Sequence, residues 1–201
     1  MSEIVNILVD EGDASKNAQL ALQIPSGHVE NKVILTLKKL DEYADLIGDL
    51  KGSVLVLNSP DTFSTYRGKL YQMLSQNKNI YPSEVMSISA GIKIPRWSYI
   101  SEYSKVASSA KLGLMTYVGC NTTISPNASI GSFVWIGNNV NIGPGVIIGN
   151  NVTLHDGLVV GAGAVIDKFN ELRHSVRANS HISDKRIETE FFGSTAYLHG
   201  V

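Results

Sequence analysis

From residue 88 onward an aliphatic side chain returns at every sixth position. The series runs Ile88, Ile94, Ile100, Val106, Leu112, Val118, Ile124, Ile130, Ile136, Ile142, Ile148, Leu154, Val160, Ile166 and Leu172, and the last unit closes at Arg177. Position five of the units is mostly small or branched, as in Ala110, Thr122, Ala128, Val134, Val140 and Val146. Positions five and one lie two residues apart, so on an extended chain they face the same side. Positions two to four read as turn: Ser125-Pro126-Asn127, Gly137-Asn138-Asn139, Gly143-Pro144-Gly145, Gly149-Asn150-Asn151. Asn or Gly at position four suits a site with φ > 0, and Pro126 and Pro144 fall where a type II turn takes proline. Each unit is therefore a short strand and a tight corner, and three units close one triangular coil. A fixed short period is the mark of a repeat architecture. Residues eighteen apart then stack at the roughly 4.8 Å spacing of neighbouring strands. The fold class expected is mainly β: a parallel β-helix of about five coils over 88–177, with an aliphatic interior.

The chain ahead of the coils is patterned differently. Short apolar-alternating segments at 4–9, 18–24, 32–37 and 53–57 are separated by Glu11-Gly12-Asp13, Pro25-Ser26-Gly27 and Lys51-Gly52. They predict a small β-rich unit over 1–58. Ser59-Pro60-Asp61 is a helix start signal, and Phe63, Tyr66, Leu70, Met73 and Leu74 recur at helical spacing. A helix over 59–79 follows, inside a connecting segment 59–87. The tail, 178–201, leaves the hexad and is expected to cap the open end of the coils.

Composition narrows the partners. A net charge of −1 with 17% charged residues leaves no basic stripe for a nucleic acid. No apolar run approaches the ~20 residues of a membrane span, and residues 1–10 lack the pattern of a secretory leader. A single cysteine, Cys120, excludes an internal disulfide framework and fits a cytoplasmic location. Cys120 falls at a turn and reads as a surface thiol. Trp97, Tyr99, Phe133 and Trp135 stand in polar stretches and read as exposed rings that pack between subunits.

The Ile/Val/Gly/Asn hexad resembles the left-handed β-helix of the hexapeptide-repeat acyltransferases. Arg67-Gly68-Lys69-Leu70-Tyr71-Gln72, followed by Ile80-Tyr81-Pro82-Ser83, resembles the sialic-acid O-acetyltransferase-type sugar acyltransferases. The resemblance implies a left-handed coil and a homotrimer. It implies transfer of an acetyl or other acyl group from acetyl-CoA or its like to an amino or hydroxyl group of a sugar or nucleotide-sugar, in surface polysaccharide biosynthesis. It also implies a histidine base in the groove between subunits. Where that family places its base, this chain has Pro144, which cannot accept a proton. Those enzymes also begin with a small Rossmann-like domain and a Gly-rich loop, whereas Gly12 stands alone here. The stretch 24–37, IPSGHVENKVILTL, resembles instead the core hairpin of biotinyl/lipoyl-type carrier domains, without their modified lysine.

Two histidines remain as candidate bases, His155 and His174. His174 lies eighteen residues after Asp156, so the coil period stacks the two in one corner column with Glu102, Cys120 and Asn138. A carboxylate beside an imidazole orients it and stabilises its protonated form. The resemblance further implies CoA contacts at Gly143, Gly161, Lys185 and Arg186. A second reading is a non-catalytic trimeric scaffold that kept the coils and lost the base. A third is the zinc site of hexapeptide-repeat carbonic anhydrases. It would draw on His155, His174 and His181, but their spacing does not match that arrangement, and no metal is expected.

Overall fold

The computed structural model describes residues 5–10, 29–35, 43–57, 64–82, 92, 94–101 and 103–183. Its first unit runs β1 (Val5–Asp10), β2 (Val29–Leu35), α1 (Ala44–Asp49), β3 (Gly52–Leu57), α2 (Ser64–Gln76) and β4 (Ile80–Pro82). The four strands form one sheet in the order β2-β1-β3-β4, and every pair is parallel. Four expected elements are found: β1, β2, β3 and α2. The expected strand at 18–24 lies outside the described residues. The carrier-like stretch departs from expectation, because β2 is one strand paired parallel with β1. A hairpin joins antiparallel strands, whereas parallel neighbours need a crossover. The sheet order changes direction between β1 and β3, the layout of a small mononucleotide-type unit, in which ligands bind beyond the carboxyl ends of the strands. Sequence pattern missed α1 because six residues with one buried side chain, Ile47, show no helical period.

The parallel β-helix is present. Its first face stacks Tyr99–Ile100, Tyr117–Val118, Trp135–Ile136, Thr153–Leu154 and Glu171–Leu172. The second stacks Lys105–Val106, Thr123–Ile124, Asn141–Ile142 and Val159–Val160, and the third Ser129–Ile130, Ile147–Ile148, Val165–Ile166 and His181–Ile182. The eighteen-residue register holds through the middle, where Trp135 pairs with Tyr117 below and Thr153 above. Positions five and one fill the interior: Ile136, Ile142, Val146, Val152, Leu154 and Ile166 are all 0% exposed. Main-chain bonds such as Trp135 N–H to Val152 O, 2.9 Å, join each coil to the next. Backbone polar groups are thus satisfied while the apolar side chains turn inward.

Position four adopts φ > 0, as the turn chemistry requires, with Asn121, Asn127, Asn139 and Asn151 between 53° and 61°. Trp97, Met115 and Phe133 hold the same site at 60°, 51° and 63°. A bulky side chain there is strained by about 1–3 kcal/mol. All three lie on one corner, and all pack into the cluster formed by Ile47, Leu50, Val54, Leu70, Leu74 and Ile80 of the first unit. Burying a large apolar side chain contributes roughly 1.5–3 kcal/mol, enough to offset the strain. The expected exposed rings are therefore corrected: Trp97 and Tyr99 are 3% exposed and Trp135 7%. Phe133 meets Tyr71 of α2 edge-on, with centroids 5.7 Å apart.

The hexad count fails at one place. Val176 bridges Val160, and His181–Ile182 pairs with Val165–Ile166, so the last coil advances sixteen residues. Asn179, three residues after Val176, repeats the φ > 0 corner at 57°. The unit that opens at Leu172 is therefore four residues long, and the coils continue past 177 to Ile182.

Candidate functional site

Leu154 points into the core, so His155 is the first residue of the corner that follows, and its N–H donates to Leu172 O at 3.0 Å. One coil above, Glu171 pairs in register with Thr153. Outward-facing Glu171 then reaches the imidazole: His155 Nε2 lies 2.8 Å from Glu171 Oε1. Arg173 Nη2 donates to the same oxygen at 2.7 Å. On the other side the His155 ring faces Trp135, with centroids 6.2 Å apart. Trp135 stacks on Tyr117 at 5.6 Å, and Tyr117 on Tyr99 at 5.3 Å. The imidazole is thus held between an aromatic wall and a carboxylate, its side chain 23% exposed. From α2, Arg67 Nη1 donates to Phe133 O at 2.8 Å and Nη2 to Thr153 Oγ1 at 3.4 Å, fixing the strand that leads into His155.

The electrostatics assign the proton. Burial alone would raise the Glu171 carboxyl, but hydrogen bonds from His155 and Arg173 and the nearby guanidinium charge outweigh it and hold the group below its usual value. An ionised carboxylate only accepts, so His155 Nε2 carries a hydrogen, and in the neutral ring the lone pair sits on Nδ1. A proton acceptor at the corner is the result. Burial pushes the Tyr117 phenol up, so its hydroxyl stays neutral. Because the folded Glu171 carboxyl is lowered, its contribution to stability is present above the ordinary carboxylate value and is lost as pH falls through the folded one. The ion pair is half exposed, so the effect is under ~1 kcal/mol. Glu171→Gln is expected to lower Tm slightly at neutral pH and not at acid pH. A difference in Tm that stays constant with pH would contradict this.

The expected Asp156–His174 pair is not formed. Asp156 Oδ1 accepts from Asn138 N–H at 2.9 Å, and Asn138 Oδ1 accepts from Cys120 N–H at 2.8 Å. The corner column therefore runs from Cys120 to Asp156 and stops; Glu102 lies outside the described residues. His174 is exposed, and among the described residues no hydrogen bond or ion pair joins it, or His155, to Asp156. The four-residue unit is the cause: it removes two residues from the corner that the period would have set above Asp156. Glu171 escapes a reading that follows the corner column, because it stands at position six, where Trp135, Thr153 and Glu171 share one face.

Gly143 and Gly161 begin the corners after the second face. A Cβ on Gly143 would lie 2.7 Å from Ala162 N, and one on Gly161 would strike Ala178 N. Coil stacking alone thus requires glycine at both. Lys185 and Arg186 lie outside the described residues. His181 pairs with Asp167 at 3.0 Å on the third face. Nearby a groove of about 450 Å³ is lined by Ile147, Gly149, Val165, Asp167 and Lys168. Among the described residues no three His, Cys, Asp or Glu side chains converge on a metal position, and no described helix is long and apolar enough to cross a membrane.

Residues 115–150 and 133–168 match the family described as bacterial transferase hexapeptide (six repeats). No curated protein matches the sequence. Among solved structures, the chain is similar to a mutant of perosamine N-acetyltransferase from Caulobacter crescentus in complex with CoA and GDP-perosamine. The identity is 12%, with 88% of this chain and 91% of that one covered and a TM-score of 0.56. It is also similar to the acetyltransferase domain of PglB from Neisseria gonorrhoeae in complex with acetyl coenzyme A. There the identity is 13%, the coverage 92% and 98%, and the TM-score 0.55. At these identities the likeness speaks for the fold.

Proposed function

We propose that this chain, which carries the bacterial transferase hexapeptide repeat, is an acyltransferase that moves an acetyl group from acetyl-CoA to an amino or hydroxyl group of a sugar or nucleotide-sugar. The observation that carries this reading is the His155–Glu171 pair against Trp135, at a corner of the coils. The solved structures of similar fold include a sugar N-acetyltransferase with CoA and GDP-perosamine, which supports the choice of substrates. The parallel order β2-β1-β3-β4, which changes direction between β1 and β3, supports a nucleotide-linked acceptor. Ile147 and Val159, 51% and 50% exposed on outer faces, support self-association, which we take to be a homotrimer. The groove on the third face, lined by Ile147, Val165, Asp167 and Lys168, supports a place for part of CoA, with its apolar side chains against a pantetheine arm and Lys168 toward a phosphate. We place the reaction in the cytoplasm, within surface polysaccharide assembly.

In this reading His155 Nδ1 takes the acceptor proton as the acceptor lone pair bonds to the thioester carbonyl carbon. The carbonyl oxygen becomes an oxyanion. When the C=O re-forms, the C–S bond breaks and the proton on the imidazole passes to the CoA sulfur. Glu171 orients the ring and stabilises the imidazolium, the part that the coil period alone would give to Asp156. Gly143, Gly161, Lys185 and Arg186 remain the proposed CoA contacts.

Pro144, at the position of the family's base, favours the rival reading of a catalytically silent scaffold. The test is CoA thiol release from acetyl-CoA with a panel of UDP-, GDP- and dTDP-linked amino and hydroxy sugars, beside calorimetry with CoA. Release with at least one acceptor is expected. No release together with no CoA binding sinks the proposal in favour of the scaffold.

A further inference from the structure

At the corner that carries His155, third-position N–H groups are capped from the coil above. Cys120 N–H donates to Asn138 Oδ1 at 2.8 Å, and Asn138 N–H to Asp156 Oδ1 at 2.9 Å. At Asp156 this capping ends. The unit above is the four-residue one, Leu172 to Ser175, and among the described residues nothing accepts from Asp156 N–H. Ser175 Oγ instead takes the Val159 N–H at 3.0 Å. In the coil below, a strand carbonyl does that work, with Asn141 N–H on Leu158 O at 2.8 Å. The two missing residues therefore leave an open N–H in the peptide bond that follows His155. By the repeat it is directed as Asn138 N–H is, toward the coil that carries Glu171 and Arg173.

We propose that the Asp156 backbone N–H is the oxyanion donor for acyl transfer at His155; this rests on the reading of His155 as the base. The donor is the N–H of the residue that follows the base, so both stand on one corner, with the imidazole held there by Glu171 and Trp135. During the step described above, charge gathers on the thioester oxygen as the new C–N or C–O bond forms. A preorganised N–H directed at that oxygen stabilises it at no reorganisation cost. The charge disperses again when the C–S bond breaks. The shortened corner gives the thioester room above Asp156, where a full-length corner would carry a capping side chain as Asn138 does for Cys120.

The repeat itself supplies the test. Pro126 and Pro144 occupy the third position of their units, so proline fits this corner, and Ser125 shows that the preceding residue need not be glycine. Asp156→Ala loses the carboxylate and keeps the N–H; Asp156→Pro loses both. Thiol release from acetyl-CoA is measured with the most active acceptor of the panel. The proline variant is expected to have a kcat about 10²–10³-fold below that of the alanine variant, with KM for acetyl-CoA within about threefold. A second comparison guards against misfolding: His174→Asn with two residues inserted after it rebuilds a six-residue unit whose Asn caps Asp156 N–H, and a similar loss is expected. Equal kcat for the alanine and proline variants, with circular dichroism unchanged, overturns the inference. His155→Ala separates the two levels. If it is inactive while alanine and proline at 156 are alike, only the donor assignment fails; if it is fully active, the reading of the base fails first.

Discussion

His155→Ala is expected to lower kcat by about 10²–10⁴-fold, the usual contribution of a positioned proton acceptor. KM for acetyl-CoA should change little, because in the proposed reaction the imidazole acts on the acceptor proton and not on the donor. The fold should survive. His155 stands on a corner with its side chain 23% exposed, and the interior beneath it is closed by Leu154. His174→Ala is the informative contrast, since His174 is exposed and makes no bond to Asp156 among the described residues. It should leave kcat within about threefold, as an exposed side chain outside the reacting groups does. The measurement is steady-state thiol release with both variants in parallel. A His174→Ala loss as large as that of His155→Ala would mean that the eighteen-residue period, not the His155–Glu171 contact, marks the site.

Ile136→Ala is expected to be the most destabilising single substitution of the coils, costing about 2–5 kcal/mol. Ile136 is 0% exposed and its strand is paired on both sides, with Tyr117–Val118 and Thr153–Leu154. In a stacked repeat each coil is stabilised by its two neighbours, so a cavity in the middle weakens two interfaces. For a chain of this size the loss corresponds to a fall in Tm of roughly 4–20 °C. Ile182 sits in the last described strand and is only partly buried against the same core. Ile182→Ala should therefore cost less than about half as much. Thermal unfolding followed by circular dichroism tests the pair. Equal losses would show that the stack does not behave as a chain of nearest-neighbour interfaces.

The architecture was legible because it is written redundantly: the same aliphatic and turn positions recur until no single exception can hide the period. The interior residues, from Ile100 to Ile166, were all identifiable from that count. The site was less legible for the opposite reason. His155 was among the candidates, but its partner Glu171 stands at position six, in the ordinary register with Thr153 and outside the corner column that the count followed. Arithmetic set His174 over Asp156; the chain instead shortens at Leu172–Ser175, and the carboxylate that reaches the imidazole comes from the strand. The aromatic residues mislead in a similar way. Trp97, Met115 and Phe133 occupy turn sites that favour Asn or Gly, so pattern alone made the rings look like surface. Only the docking of α2 and its neighbours explains why bulk is tolerated there at φ of 51–63°. The parallel order of the first sheet was likewise beyond reach, because short alternating segments do not state which strand pairs with which.

The four-residue unit has a consequence for altering this protein. Leu172 still pairs with Leu154, and Val176 still meets Val160, although the corner between them has lost two residues. Strand partners and corner length are therefore independent variables in this chain. A designer can lengthen or shorten a corner to resize the opening above His155 and leave the aliphatic interior as it stands. Acceptor range would then be set by loop grafting at Arg173–Ser175, with the rest of the coil serving as an unchanging frame.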